Sequence, residues 1–139
     1  MSHLEVTMRD GIATLTMNRP DARNALSMEM RRELSDALHD AELNESIRCV
    51  VLRGAGEHFM AGGDVKGMGE SIKKSPDEIK KEFMLRIHDL HPIMFAMRRM
   101  PKPIIASCRG AAAGAGVSIA LACDLVIASE DAFFTLAYC

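Results

Sequence analysis

The sequence predicts an α/β domain built on a largely parallel sheet. Short apolar runs at residues 47–52, 103–108 and 124–128 recur along the chain. They are continuous rather than alternating, as expected of strands covered on both faces. Stretches with helical spacing separate them, the alternation that marks an α/β architecture. Two glycine-rich stretches, Ala61-Gly62-Gly63-Asp64-Val65-Lys66 and Gly110-Ala111-Ala112-Ala113-Gly114-Ala115-Gly116, each follow an apolar run and precede a helix-like pattern. They put small residues and free backbone N–H groups at strand-to-helix corners.

The elements follow in order. Leu4, Val6 and Met8 alternate with polar residues, and Ala13, Leu15 and Met17 do so again after Asp10-Gly11. This pattern predicts a β-hairpin. A loop at 18–21 leads to Ser27, which is placed to cap a helix carrying Met30, Leu34, Leu38 and Ala41 on one face and ending near Asn44. A buried strand at 47–52 then opens into the glycine-rich loop 57–69. Ser75-Pro76-Asp77-Glu78 combines an N-cap, a first-turn proline and a capping-box glutamate, a strong helix start. Its apolar face runs through Ile79, Phe83, Ile87 and Leu90, the helix falters near Pro92, and a second helical stretch covers 93–100. The buried strand 103–108, the second corner, a helix from about 115 to 123, a buried strand at 124–128 and a further strand from Phe133 complete the chain.

The 139 residues have the size of one domain, with no linker, so residues 1–139 are expected to form a single unit. With 48% hydrophobic and 26% charged residues the chain can bury a core. The 17 basic and 19 acidic side chains leave a formal charge of −2, which draws the chain neither to nucleic acid nor to anionic lipid. The N-terminus lacks the basic head and apolar block of a signal peptide. The apolar stretch 110–123 is too short to span a bilayer. Cys49, Cys108, Cys123 and Cys139 form no Cys-x-x-Cys pair, so reduced thiols in a cytoplasmic setting are expected and no metal site is. His88 and His91 share a metal-pair spacing without a nearby third ligand, and read as a solvated helix face. His58 reads as a residue that structures the first loop.

The second corner admits three interpretations. Gly114-Ala115-Gly116 is half of a dinucleotide fingerprint, but Ile119 stands where its third glycine belongs. Small residues also simply let a helix approach a sheet. And two amide-bearing corners brought together could hold one developing negative charge, the arrangement of an oxyanion hole.

Residues 57–68, Glu57-His58-Phe59-Met60-Ala61-Gly62-Gly63-Asp64-Val65-Lys66-Gly67-Met68, resemble the signature loop of the enoyl-CoA hydratase/isomerase (crotonase) superfamily. The hairpin ending Met17-Asn18-Arg19-Pro20, the segment Asn24-Ala25-Leu26, the strand before the loop, residues 101–116 and 122–128 match other family segments in register. The resemblance implies a crotonase-like spiral of ββα units (the ClpP/crotonase fold), with the family's C-terminal helical part absent from this chain. It implies an acyl-CoA thioester as substrate, no cofactor beyond the coenzyme A of that substrate, and a homotrimer or a dimer of trimers for the full-length form.

Carried over by position, the resemblance makes the N–H groups of Gly63 and Ala115 the oxyanion-hole donors. It runs the CoA body along Arg23, Ala25, Ala61, Gly62, Asp64, Val65 and Lys66, with Arg23 placed to pair with a phosphate. The family's hydratases use two glutamates, and Ser118 and Tyr138 occupy those positions here. Water addition needs one group to take a proton and one to give it, so the expectation favours an enoyl-CoA isomerase. An enoyl-CoA hydratase and a non-catalytic acyl-CoA-binding subunit are the alternatives. Asp64 is expected to cap the helix after its loop, and Asp124 the start of its own strand.

Overall fold

A computed structural model describes residues 2–64 and 74–136. The chain opens with a hairpin of β1 (Leu4–Arg9) and β2 (Ile12–Met17), paired antiparallel from Leu4↔Met17 to Arg9↔Ile12. Its turn residues, Asp10 and Gly11, both have positive φ (52° and 81°). That is the turn whose twist matches the strands it joins.

Helix α1 (Met28–Leu43) starts where Ser27 Oγ accepts from the Met30 amide at 3.1 Å. Its buried face holds Met30, Leu34, Leu38 and Ala41. Strand β3 is Cys49–Gly54, so Ile47, expected in the strand, lies just ahead of it. Helix α2 (Pro76–His88) begins with the predicted Ser75/Glu78 capping box. Helix α3 (His91–Arg99) has Pro92 in its first turn, where a missing N–H costs nothing.

Strands β4 (Ile104–Cys108) and β6 (Leu125–Ala128) complete a five-stranded sheet of order β1-β2-β3-β4-β6, parallel from β2 onward. Between them lie a short strand β5 (Ala111–Ala113) and helix α4 (Ala115–Ala122). Strand β5 pairs in parallel with β7 (Phe133–Thr135) in a second, two-stranded sheet.

The core lies between the central strands and helices α1 and α3. Leu15, Met17, Val50, Leu52, Ile104 and Ala106 supply the sheet face, and Ile93, Ala96 and Met97 join from α3. Burying each large side chain is worth about 1.5–3 kcal/mol, which secures the strands whose ends carry the glycine corners.

Other expectations need correction. Strand β6 is not buried: Leu125, Val126 and Ile127 are 58%, 41% and 62% exposed, because β6 is the edge of its sheet and no described element covers it. Asp124 does not cap its own strand. Its carboxylate accepts from the Ile104 amide at 2.8 Å while its N–H donates to the Ile104 carbonyl, tying the neighbouring strand β4. Helix α2 buries none of its residues, so the face containing Phe83 and Ile87 is open among the described residues.

Candidate active site

Strands β2, β3 and β4 are neighbours and parallel, so their carboxyl ends share one edge of the sheet, where open α/β sheets bind ligands. The loops leaving that edge are residues 18–27, 55–64 and 109–114. Both glycine corners and the loop holding Arg23 and Ala25 therefore meet at one place.

Asn24 joins the first two loops. It is fully buried, in a left-handed conformation (φ 55°) that asparagine tolerates better than most residues. Its Nδ2 donates to the carbonyls of Ala55 (2.9 Å) and His58 (2.7 Å), and its Oδ1 accepts from the Arg19 amide (2.9 Å). Gly54 makes room for this: a Cβ there would lie 2.6 Å from Asn24 Nδ2 and 2.1 Å from the His58 carbonyl oxygen.

Backbone bonds then stitch the first loop to the first corner. The Ala61 amide donates to the Arg23 carbonyl at 2.9 Å, and the Leu26 amide to the Gly62 carbonyl at 2.8 Å. Leu26 and Gly63 form an isolated parallel bridge. On its other side the segment is bound to the second corner: Phe59 N donates to Arg109 O (2.8 Å), Met60 N to Ala111 O (3.0 Å), and Ala113 N to Met60 O (2.9 Å). His58 Nδ1 accepts from the Ala111 amide at 3.2 Å, which places the ring proton on Nε2. The histidine is thus a loop-structuring residue, as expected.

These bonds orient two amides. The Gly62 carbonyl and the Gly63 N–H belong to one trans peptide, so they point in opposite directions. With the carbonyl held on Leu26, the Gly63 N–H faces away from Leu26. At the second corner the Gly114 carbonyl accepts from Val117 (3.0 Å) and Ser118 (3.3 Å), pointing down α4. The Ala115 N–H of the same peptide therefore points out of the helix N-terminus, the positive end of its dipole.

The corners are in close approach. A Cβ on Gly62 (φ +95°) would lie 3.9 Å from Ala115 N and 3.1 Å from Ala113 O, and one on Gly114 would lie 3.8 Å from Gly62 Cα. Gly116 is required by space alone, since a Cβ there would stand 2.3 Å from the Met60 carbonyl oxygen.

Among the expected binding residues, Arg23 is exposed and its side chain makes no hydrogen bond or ion pair with another described residue, while Ala25, Ala61, Gly62 and Asp64 lie along the stitched loops. The Asp64 carboxylate pairs with Arg19 Nη2 at 3.0 Å; the backbone it was expected to cap, like Val65, Lys66 and Tyr138, lies outside the described residues. Ser118 sits half-buried on α4. Cys108 and Cys123 are buried thiols, and burial pushes their pKa values up to about 11 and about 12. No metal-binding cluster and no helix long and apolar enough to cross a membrane occur among the described residues. A groove of about 700 Å³ lies between the β1–β2 hairpin and α1 and is lined by none of the expected site residues.

The family model described as enoyl-CoA hydratase/isomerase matches residues 7–139. A 1,2-epoxyphenylacetyl-CoA isomerase of Escherichia coli (strain K12) is 34% identical over 142 residues, covering 99% of this chain and 50% of that protein. A 2,3-dehydroadipyl-CoA hydratase of the same organism is 36% identical over 137 residues, covering 98% and 50%. The crystal structure of an enoyl-CoA hydratase from Polaromonas sp. JS666 matches with a TM-score of 0.87 at 39% identity, covering 97% of this chain and 51% of that one. The chain spans about half the length of these relatives.

Proposed function

Because the chain belongs to the enoyl-CoA hydratase/isomerase family, we propose that it binds an acyl-CoA thioester and holds the thioester oxygen between the N–H groups of Gly63 and Ala115. The observation that carries this reading is the peptide 62–63, pinned by its carbonyl to Leu26 and packed beside Ala115 N. A thioester carbonyl gains negative charge when a proton leaves the neighbouring carbon. Two fixed amides at about 3 Å stabilise that charge, each worth roughly 2.7–4 kcal/mol in the transition state. The CoA body follows Arg23, Ala25, Ala61, Gly62, Asp64, Val65 and Lys66, and the coenzyme A of the substrate is the only cofactor this chemistry requires. A homotrimer or a dimer of trimers of the full-length form and a cytoplasmic setting belong to the same reading.

The reaction we favour is isomerisation of the enoyl chain. A base removes a proton from C2 of a 3-enoyl-CoA, the electrons spread onto the thioester oxygen, and an acid returns a proton at C4 to leave the 2-enoyl product. Hydration is less favoured because Ser118 stands at a hydratase glutamate position, and a serine hydroxyl is a poor base near neutral pH. The same serine supports the second reading, a binding subunit without turnover.

Assays of the purified protein with 3-enoyl-CoA and 2-enoyl-CoA test these alternatives. Isomerisation faster than hydration is expected. Faster hydration overturns the choice of reaction, and tight binding of both esters without turnover identifies the binding subunit.

A further inference from the structure

In the sequence Arg19 only ends the hairpin segment Met17-Asn18-Arg19-Pro20, yet its side chain reaches both the first loop and the first corner. Nη1 donates to the Ala25 carbonyl at 2.6 Å and Nη2 meets the Asp64 carboxylate at 3.0 Å. The guanidinium and the carboxylate are only 20% and 18% exposed, so the pair is partly shielded from solvent. The backbone of Arg19 is itself fixed: its N–H donates to Asn24 Oδ1 at 2.9 Å and its carbonyl accepts from the Asn24 amide at 2.8 Å.

We propose that Arg19 is a positioning residue that sets the direction of the Gly63 amide by clamping Asp64 against the Ala25 carbonyl. The peptide before Gly63 is held by Leu26, and the residue after it is held by Arg19. Gly63 is thereby restrained from both sides although it has no side chain to pack. A planar fork with two separate N–H groups is suited to bridging a carbonyl and a carboxylate at once, whereas a lysine ammonium is a single point. This inference rests on the proposed acyl-CoA function for its catalytic meaning, while the clamp itself can be observed without substrate.

The experiment compares wild type with Arg19→Gln, Arg19→Lys, Asp64→Asn and the double variant Arg19→Gln/Asp64→Asn. Displacing one amide by a fraction of an ångström should lower kcat on an enoyl-CoA by about ten- to a hundredfold. Arg19→Lys should not rescue it. The double variant should be no slower than the slower single variant, because the two side chains act as one unit. Amide hydrogen exchange of Leu26, whose N–H is held by the Gly62 carbonyl, should quicken about tenfold or more in Arg19→Gln while exchange in β3 is unchanged. A merely structural role would lower thermal stability and leave kcat of the folded fraction intact. Wild-type kcat in the single variants, additive losses in the double variant, or unchanged Leu26 exchange overturns the clamp. If wild type itself turns over and binds no enoyl-CoA, the functional reading fails, and the exchange result still decides whether the clamp exists.

Discussion

The Leu26 amide holds the Gly62 carbonyl at 2.8 Å, and through that bond a residue of the first loop determines where the Gly63 N–H points. The peptide can take this orientation because Gly62 lies at φ +95° beside Ala113 O. Gly62→Ala introduces a strained backbone, costing about 1–3 kcal/mol, and a Cβ at 3.1 Å from that carbonyl oxygen. The expected outcome is a modest fall in the urea midpoint together with a loss of kcat of about tenfold or more from the displaced amide. Steady-state kinetics on the folded variant checks this, and an unchanged kcat would separate the Gly62 geometry from catalysis.

Asn24 should matter more for stability than its place in an irregular loop suggests. Replacing it with alanine removes two donors and an acceptor from half-buried partners. Three bonds at about 1 kcal/mol each, and carbonyls left unpaired, predict a loss of roughly 2–4 kcal/mol. Denaturant unfolding measures the difference. A change below about 0.5 kcal/mol, the scale of ordinary surface substitutions, would mean that the loops hold together without it.

Alkaline pH should destabilise the fold through its buried thiols. Burial raises Cys108 to about 11 and Cys123 to about 12, against an ordinary value of 9.0. Above that ordinary value the unfolded chain releases thiol protons that the folded chain keeps, so stability falls with rising pH. The contribution is complete below the unfolded pKa and is lost as pH rises through the folded values. Urea unfolding between about pH 7.5 and about pH 10.5 (about one and a half units on either side of an unperturbed thiol) should show this decline, shallower in Cys123→Ala. Alkylation at pH 8 should spare both residues in the native protein. A flat profile, or rapid native-state alkylation of Cys123, would contradict their burial.

Much of the scaffold was legible because it depends on near neighbours. Asp10-Gly11, Ser27 and the Ser75/Glu78 box are short-range chemistry, and the structure forms the hairpin and caps they predict. Strand β5 was not legible, since three alanines carry little strand preference; it exists because Met60 and β7 pair with it from either side. The exposure of β6 could not be read from an apolar run, because a run reports composition and not what lies alongside it. In the candidate site, the glycines announced the corners, and the family resemblance supplied Gly63 and Ala115. What holds the corners together stayed hidden. Asn24 serves acceptors 31 and 34 positions away, and Arg19 reaches Asp64 across the same fold. Such pairs leave no periodic trace, and only the strand order brings them into contact.

The most direct measurement is isotope-edited infrared spectroscopy of a 13C-labelled thioester carbonyl in an acyl-CoA bound to the protein. Two amide donors aimed at one oxygen should lower the carbonyl stretching frequency below its value in water, with much of that shift lost in Gly62→Ala. A bound carbonyl that absorbs at or above its aqueous frequency would contradict the account.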